Sequence, residues 1–244
     1  MAYRYFFEQK LPTDDSSLPQ VVTLTGDEAH HLIHVMRVKP GENLILFDGS
    51  GAEFDTRIEE VRKKELTTEV RARRVENREC RRAFTLAVAL PKGERQRFLI
   101  EKLVELGAAE FLPLEAERSV ARAGDAAVGR LERVVVEASK QCGRNTLMRI
   151  APPVTSRQLF QTDFPIRCFA HPGGTSILDI VRNSESDCPI LVAVGPEGGF
   201  SDSETAQALE AGWTPVTLGP RILRTETAAV AVASILSEFV DTWK

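Results

Sequence analysis

The 244-residue chain is poor in cysteine, and what it has is not arranged for a metal or a disulfide framework. Cys80, Cys142, Cys168 and Cys188 lie 62, 26 and 20 positions apart, with no CxxC pair. That spacing supports neither a zinc ribbon nor a small stapled fold, and it suits a reducing compartment. Long apolar runs are missing too. Phe84 to Leu90, broken at Thr85, falls far short of the roughly 20 residues that span a bilayer. The opening MAYRYFFEQK holds no apolar stretch before a small-residue cleavage site, so no secretory signal is read there and a cytoplasmic location is expected. Low-complexity segments and internal repeats are absent. With 43% hydrophobic and 27% charged residues, a disordered or fibrous chain is excluded.

Excess positive charge is also lacking, since the formal net charge is −4. Taken whole, that argues against a nucleic-acid binder. Its distribution argues otherwise. Residues 1–61 carry a net −6, residues 62–82 a net +5, and Arg118 to Arg149 a net +4. A polyanion responds to local Lys and Arg that neutralise phosphates, so two basic stretches are candidate contacts. Solvated helix faces or a charged linker would look the same in sequence.

The first 75 residues read as short strands: Tyr3–Phe7, Gln20–Leu24, Asn43–Phe47, Glu53–Ile58 and Leu66–Ala72. Asp48-Gly49-Ser50-Gly51 marks a hairpin turn. Thr25 and Glu28, three apart before Ala29, Leu32, Ile33 and Met36, give a capping-box signature for one helix that Pro40-Gly41 ends. A small barrel of five or six strands is expected over 1–75. From 76 to 244 strands alternate with helices, which predicts an α/β domain on a parallel sheet. Its strands are Phe84–Leu90, Phe111–Leu114, Arg167–Ala170, Ile190–Val194 and Pro215–Leu218. Its helices are Glu94–Leu106, with Phe98, Leu99, Leu103 and Leu106 inward, then Val128–Cys142, Asp202–Ala211 and Thr227–Val240.

Three glycine-bearing loops follow strands of this second domain: His171–Gly174, Gly195–Phe200 and Leu218–Arg224. Ligands of open α/β sheets settle beyond the carboxyl ends of the strands, and glycine lets backbone come close to them. Neither GxxxxGK[ST] nor a GxGxxG after a strand occurs, so no phosphate loop or dinucleotide fingerprint is present. His30 and His34 could share a metal at i, i+4, but no third ligand set stands out and no metal is expected.

Val194-Gly195-Pro196-Glu197-Gly198-Gly199-Phe200-Ser201, with Leu218-Gly219-Pro220-Arg221-Ile222-Leu223-Arg224-Thr225-Glu226-Thr227-Ala228, resembles the SPOUT methyltransferases. Within them the chain resembles the family that methylates N3 of a uridine in bacterial small-subunit ribosomal RNA. Gly26–His31 with Val35–Val38, Lys92–Arg95, Glu101-Lys102, Glu105–Gly107, Glu117–Ser119 and Glu137–Arg144 fit the same pattern. Met148 stands where the family usually has Pro, and the His171 loop matches poorly. The resemblance implies an amino-terminal PUA-like β-barrel and a SPOUT domain with a trefoil knot around S-adenosylmethionine. It implies a homodimer as well, which the apolar closing helix would suit. The cofactor contacts it implies are His171, Gly195, Glu197, Gly198, Gly199, Leu218, Gly219, Ile222 and Leu223. For substrate RNA it implies Arg4 and Arg37; local charge adds Lys92, Lys140 and Arg144 to one expected basic face, and Tyr3 and Tyr5 beside Arg4 read as stacking platforms or barrel core.

The chemistry points to one residue more. Uridine N3 loses a weakly acidic proton as the methyl arrives, and charge builds on the uracil oxygens. A guanidinium there would stabilise the anion. Arg224, beside the last loop, is the candidate, against a plain ion pair with Glu226. Two rivals stand: a SPOUT enzyme acting on transfer RNA or a ribose hydroxyl, and a non-catalytic RNA-binding assembly factor.

Overall fold

The computed structural model describes residues 3–11, 18–122, 124–185 and 187–238. Its contacts divide the chain into two units. One comprises Met1–Glu79 and Ser139–Leu147, the other Cys80–Ala138 and Met148–Lys244. The first break falls four residues past the expected boundary at 75, and the return of 139–147 to the first unit was not legible in composition.

In the first unit β1 (Tyr3–Phe6), β2 (Gln20–Leu24), β3 (Asn43–Phe47), β4 (Ala52–Val61) and β5 (Leu66–Val75) form one sheet in the order β1-β3-β4-β5-β2. All pairs are antiparallel except β1 with β3. Alternation puts Leu44, Leu46, Phe54, Ile58, Leu66 and Val70 on the core face. Tyr5 is part of that core and donates or accepts at His31 Nδ1 over 3.1 Å, so it is no stacking platform; Tyr3 is exposed.

The helix here differs from the expectation. Helix α1 (Gly26–His30) is one turn, continued by a π-helical turn over His31–Met36. Thr25 makes no side-chain cap, and the Glu28 carboxylate of the expected box is held instead by Lys140 Nζ at 2.9 and 3.1 Å. Arg37 ends the turn in the left-handed region, φ 55° and ψ 43°, which few non-glycine residues adopt.

The second unit's strands are β6 (Phe84–Ala89), β7 (Glu110–Glu115), β8 (Arg149–Ile150), β9 (Val154–Thr155), β10 (Ile166–Ser176), β11 (Ile190–Val194) and β12 (Thr214–Thr217). They run parallel in the order β12-β10-β11-β6-β7-β8, with β9 beside β7. The crossovers carry α2 (Arg95–Glu105), α3 (Asp125–Cys142), α4 (Ser156–Phe160), α5 (Ile177–Asn183), α6 (Asp202–Glu210) and α7 (Thr225–Glu238). Strands β6 and β11 are buried along their whole length, as parallel strands covered on both faces must be. Three corrections follow. On α2 the inward residues are Leu99, Ile100, Leu103 and Val104, while Phe98 is 46% exposed under Lys102. Residues His171–Gly174 belong to β10, which bulges there so that Thr175 rejoins β12, rather than forming a loop. Helix α7 starts at Thr225, and the expected end at Val240 lies outside the described residues.

Candidate functional site

Beyond the carboxyl ends of β10, β11 and β12 lies a cavity of about 350 Å³, within the range of small-molecule sites. Every residue expected to touch a cofactor lines it: His171, Gly195, Glu197, Gly198, Gly199, Leu218, Gly219, Ile222 and Leu223. Its walls are built mostly from backbone. At Gly195 a Cβ would stand 3.2 Å from the Phe200 ring, a tight approach, so the turn off β11 passes close over that phenyl group. Phe200 is buried edge-on to Phe160 and Phe169, at centroid distances of 5.6 and 6.0 Å, which anchors the far end of the loop. Gly199 N donates to Pro196 O at 2.8 Å. Ser201 then caps α6: its hydroxyl accepts from Glu204 N, and the Glu204 carboxylate accepts from Ser201 N.

The opposite wall leaves β12 through Gly219, whose φ of +110° disfavours any side chain. Its N–H donates to Thr217 Oγ1 at 3.3 Å. The wall ends at Thr225, whose hydroxyl donates to Gly195 O at 3.2 Å and so ties one loop to the other. At the third wall Gly173 N donates to His171 Nδ1 at 3.2 Å, and β10 passes β12 so closely that a Cβ on Gly174 would sit 2.5 Å from Pro215 C.

Few charged residues line this cavity, Glu197 and Arg221 among them, and others brace it from outside. Arg95 Nη1 reaches Glu197 Oε1 at 3.4 Å and Glu226 Oε1 at 3.5 Å. Glu226 is 6% exposed and its Oε2 has no partner among the described residues. Arg118 Nη1 donates to Gly198 O at 2.7 Å. Arg221 lines the cavity and is exposed, as is Arg224. Arg224 is therefore not consumed by Glu226, whose near cation is Arg95.

The five expected RNA contacts divide. Arg37 and Lys92 are exposed. Arg4, Lys140 and Arg144 are each engaged by acidic side chains of the first unit. Arg4 lies over the Phe47 ring and donates to Glu53 at 2.8 Å and to Asn145. Lys140 holds Glu28 with both carboxylate oxygens in reach. Arg144, 3% exposed, binds Glu79 through Nε at 2.8 and 3.1 Å. Glu53 also takes Arg74 at 3.1 Å and Arg78 at 3.2 Å. Burial alone would raise its pKa, but the bonds from Arg4 and Arg78 hold it below the usual carboxylate range. Part of the basic stretch 62–82 is likewise paired: Arg71 with Glu59 and Glu69, and Arg81 with Asp187, while Lys63 and Lys64 are exposed. His30 and His34 stack at 4.5 Å, and among the described residues no cluster of three metal-binding side chains occurs.

Sequence reasoning missed Arg95, Arg118, Glu204 and Thr225. Arg95, Arg118 and Thr225 stand in motifs that carry the resemblance but were given no role, while Glu204 had a local signal of its own, the Ser201-x-x-Glu204 capping box.

The family model for an RNA methyltransferase domain matches residues 78–237, and that for an RNA methyltransferase PUA domain matches 24–71. Fold and cavity thus define an RNA methyltransferase. A ribosomal RNA small subunit methyltransferase E of Bacillus subtilis is 32% identical over 96% of this chain and 95% of its own length. The Synechocystis protein of that name is also 32% identical, over 96% of this chain and 77% of itself. A crystal structure of the Neisseria gonorrhoeae protein of that name, bound to S-adenosyl methionine, superposes with a TM-score of 0.88 at 32% identity over 98% of each chain. The chain belongs to the ribosomal RNA small subunit methyltransferase E family.

Proposed function

We propose that this chain uses S-adenosylmethionine to methylate N3 of a uridine in small-subunit ribosomal RNA, in the cytoplasm. The observation that carries the reading is the single cavity that gathers all nine expected cofactor residues at the carboxyl edge of the sheet. Its lining suits the cofactor. An apolar side of Val194, Leu218, Ile222, Leu223 and Ala228 can take an adenine, glycine backbone offers amides and carbonyls, and no lysine marks a phosphate site. When bound, S-adenosylmethionine supplies an electrophilic methyl group on a sulfonium.

The protein's own residues then have separable tasks. Gly195, Gly198, Gly199 and Gly219 allow close backbone approach, and Leu218, Ile222 and Leu223 exclude water. Glu197 braces its loop through Arg95, and His171 closes the third side. Arg224, exposed beside the cavity, faces the charge that develops on the uracil oxygens as N3 loses its proton. Arg37 and Lys92 supply phosphate contacts, which position RNA without reading its sequence. Arg4, Lys140 and Arg144 contribute by holding the first unit in shape. The trefoil threading belongs to this reading, supported by the full-length match to a solved relative.

The active unit is a homodimer. The apolar surface of α7 does not support it, because Ala228, Ala229, Val232, Ala233 and Leu236 are buried within the chain itself. Ile222 does: a large apolar side chain on a cofactor loop, 95% exposed in a single copy. Sedimentation at micromolar concentration should show twice the monomer mass; monomer alone contradicts the assembly. The function is tested by mass spectrometry of small-subunit ribosomal RNA nucleosides. Loss of N3-methyluridine on deletion of the gene, and its return on complementation, is expected. An unchanged N3-methyluridine content, or loss of a ribose methyl instead, contradicts it.

A further inference from the structure

The Gly195–Phe200 loop owes its shape to side chains from elsewhere in the same unit. Gly199 has a φ of +67°, and the Gly198 carbonyl is turned outward, away from any strand or helix ladder. Such a segment has many conformations of similar energy unless something fixes it. Arg118, in the turn after β7, supplies the fixing bond: Nη1 to Gly198 O at 2.7 Å, charge-assisted and short. Its Cδ would lie 3.3 Å from a Cβ at Gly198, so the arginine stem also packs closely against the loop.

The turn that presents Arg118 is itself anchored. Ala116 N donates to Ser119 Oγ at 2.9 Å, and Ser119 N to Ala116 O at 3.0 Å. Behind it stands Glu204, 5% exposed. One carboxylate oxygen accepts from Glu117 N at 2.9 Å and the other from Ser201 N at 2.9 Å. A single buried carboxylate thus joins the residue before Arg118 to the residue that closes the glycine loop. With Arg118 returning to Gly198, the connection is a closed ring of bonds through two separate stretches of chain.

We infer that Arg118 and Glu204 are positioning residues that form a clasp, setting the conformation of the Gly195–Phe200 loop in which the cofactor is received. This rests on the reading that the loop receives S-adenosylmethionine. The clasp acts before any ligand arrives, by lowering the entropy the loop would otherwise lose on binding. It serves cofactor affinity, not the methyl-transfer step.

The test uses the full chain with Arg118→Ala, Arg118→Lys and Glu204→Gln. Without ligand, amide hydrogen exchange over residues 195–201 should speed up about tenfold or more in Arg118→Ala and Glu204→Gln, with exchange of β6 and β11 unchanged. Arg118→Lys keeps a donor and should recover most of the protection. By calorimetry, S-adenosylmethionine should bind about tenfold more weakly to Arg118→Ala, with the melting temperature nearly that of the wild type because Arg118 is exposed. Steady-state kinetics should show a raised KM for the cofactor and an almost constant kcat. Unchanged exchange at 195–201 in Arg118→Ala would overturn the clasp. So would a fall in kcat without a change in KM. Wild-type protein that fails to bind S-adenosylmethionine would refute the cofactor reading alone, and the exchange experiment would still decide the clasp.

Discussion

The two units use arginine in opposite ways. In the first, Arg4, Arg74 and Arg78 converge on one buried carboxylate, Glu53, and Arg144 sits on Glu79. In the second, Arg221 and Arg224 stand exposed beside a cavity made largely of backbone, while Arg95 and Arg118 hold its loops from behind. Equal positive charge in sequence is thus tied up in ion pairs in one region and left at the surface beside a cavity in the other. What separates them is the acid within reach: Glu53, Glu79 and Glu28 neutralise their partners locally, whereas the nearby acids Glu197 and Glu226 are taken by Arg95.

The comparison predicts its largest effect on stability at Glu53. Glu53→Ala should destabilise the protein by about 3 kcal/mol, because Arg4 would be left as a largely buried charge. A loss below about 1 kcal/mol in urea unfolding would mean the cluster is no more than a surface arrangement. Gly219→Val should come next, since a β-branched residue at φ +110° is strained by about 1–3 kcal/mol. Calorimetry should show cofactor affinity reduced tenfold or more; undiminished affinity would detach that wall from binding.

The RNA side sharpens the contrast. Arg37→Ala and Lys92→Ala should each lower the salt slope of RNA binding by roughly 0.7–0.9. Arg144→Ala should lower the melting temperature and leave the slope alone. If Arg144→Ala changes the slope as Arg37→Ala does, the division between bracing and contacting cations fails.

Much of this was legible in sequence, for identifiable reasons. Period-two alternation exposed the strands of the first unit, and unbroken apolar runs exposed β6 and β11, because burial on one or both faces writes itself directly into residue order. The glycine loops were legible because close backbone approach excludes other residues. The α1 capping box did not form: Thr25 and Glu28 have the right spacing, but the Thr25 hydroxyl caps nothing and the Glu28 carboxylate goes to Lys140, 112 residues away. The basic stretches were only partly legible for a related reason, as a count of arginines says nothing about which carboxylates fold back on them. Arg118 and Arg95 were invisible as site residues because each reaches its loop across 80 or more positions of chain.

Acid should act on both units, and more weakly. Glu204 resembles Glu53: burial would raise its pKa, but bonds from Ser156, Ser201 and Glu117 hold it below the usual range. A depressed folded pKa stabilises above the unfolded value of about 4.3 and is lost as pH falls through the folded one. Melting temperature should thus hold near neutrality and drop below about pH 4. In Glu204→Gln that acid limb should be shallower; an identical limb would show that Glu204 contributes nothing to it.

The central claim is that Arg224 does chemistry while the arginines of the first unit keep shape. It is tested most directly by single-turnover methyl transfer to small-subunit ribosomal RNA, at saturating cofactor, in Arg224→Ala. The rate should fall about 100-fold, the scale of losing one donor to a developing oxyanion, with RNA affinity and melting temperature close to those of the wild type. A rate within about threefold of the wild type, or a loss confined to RNA affinity, would contradict it.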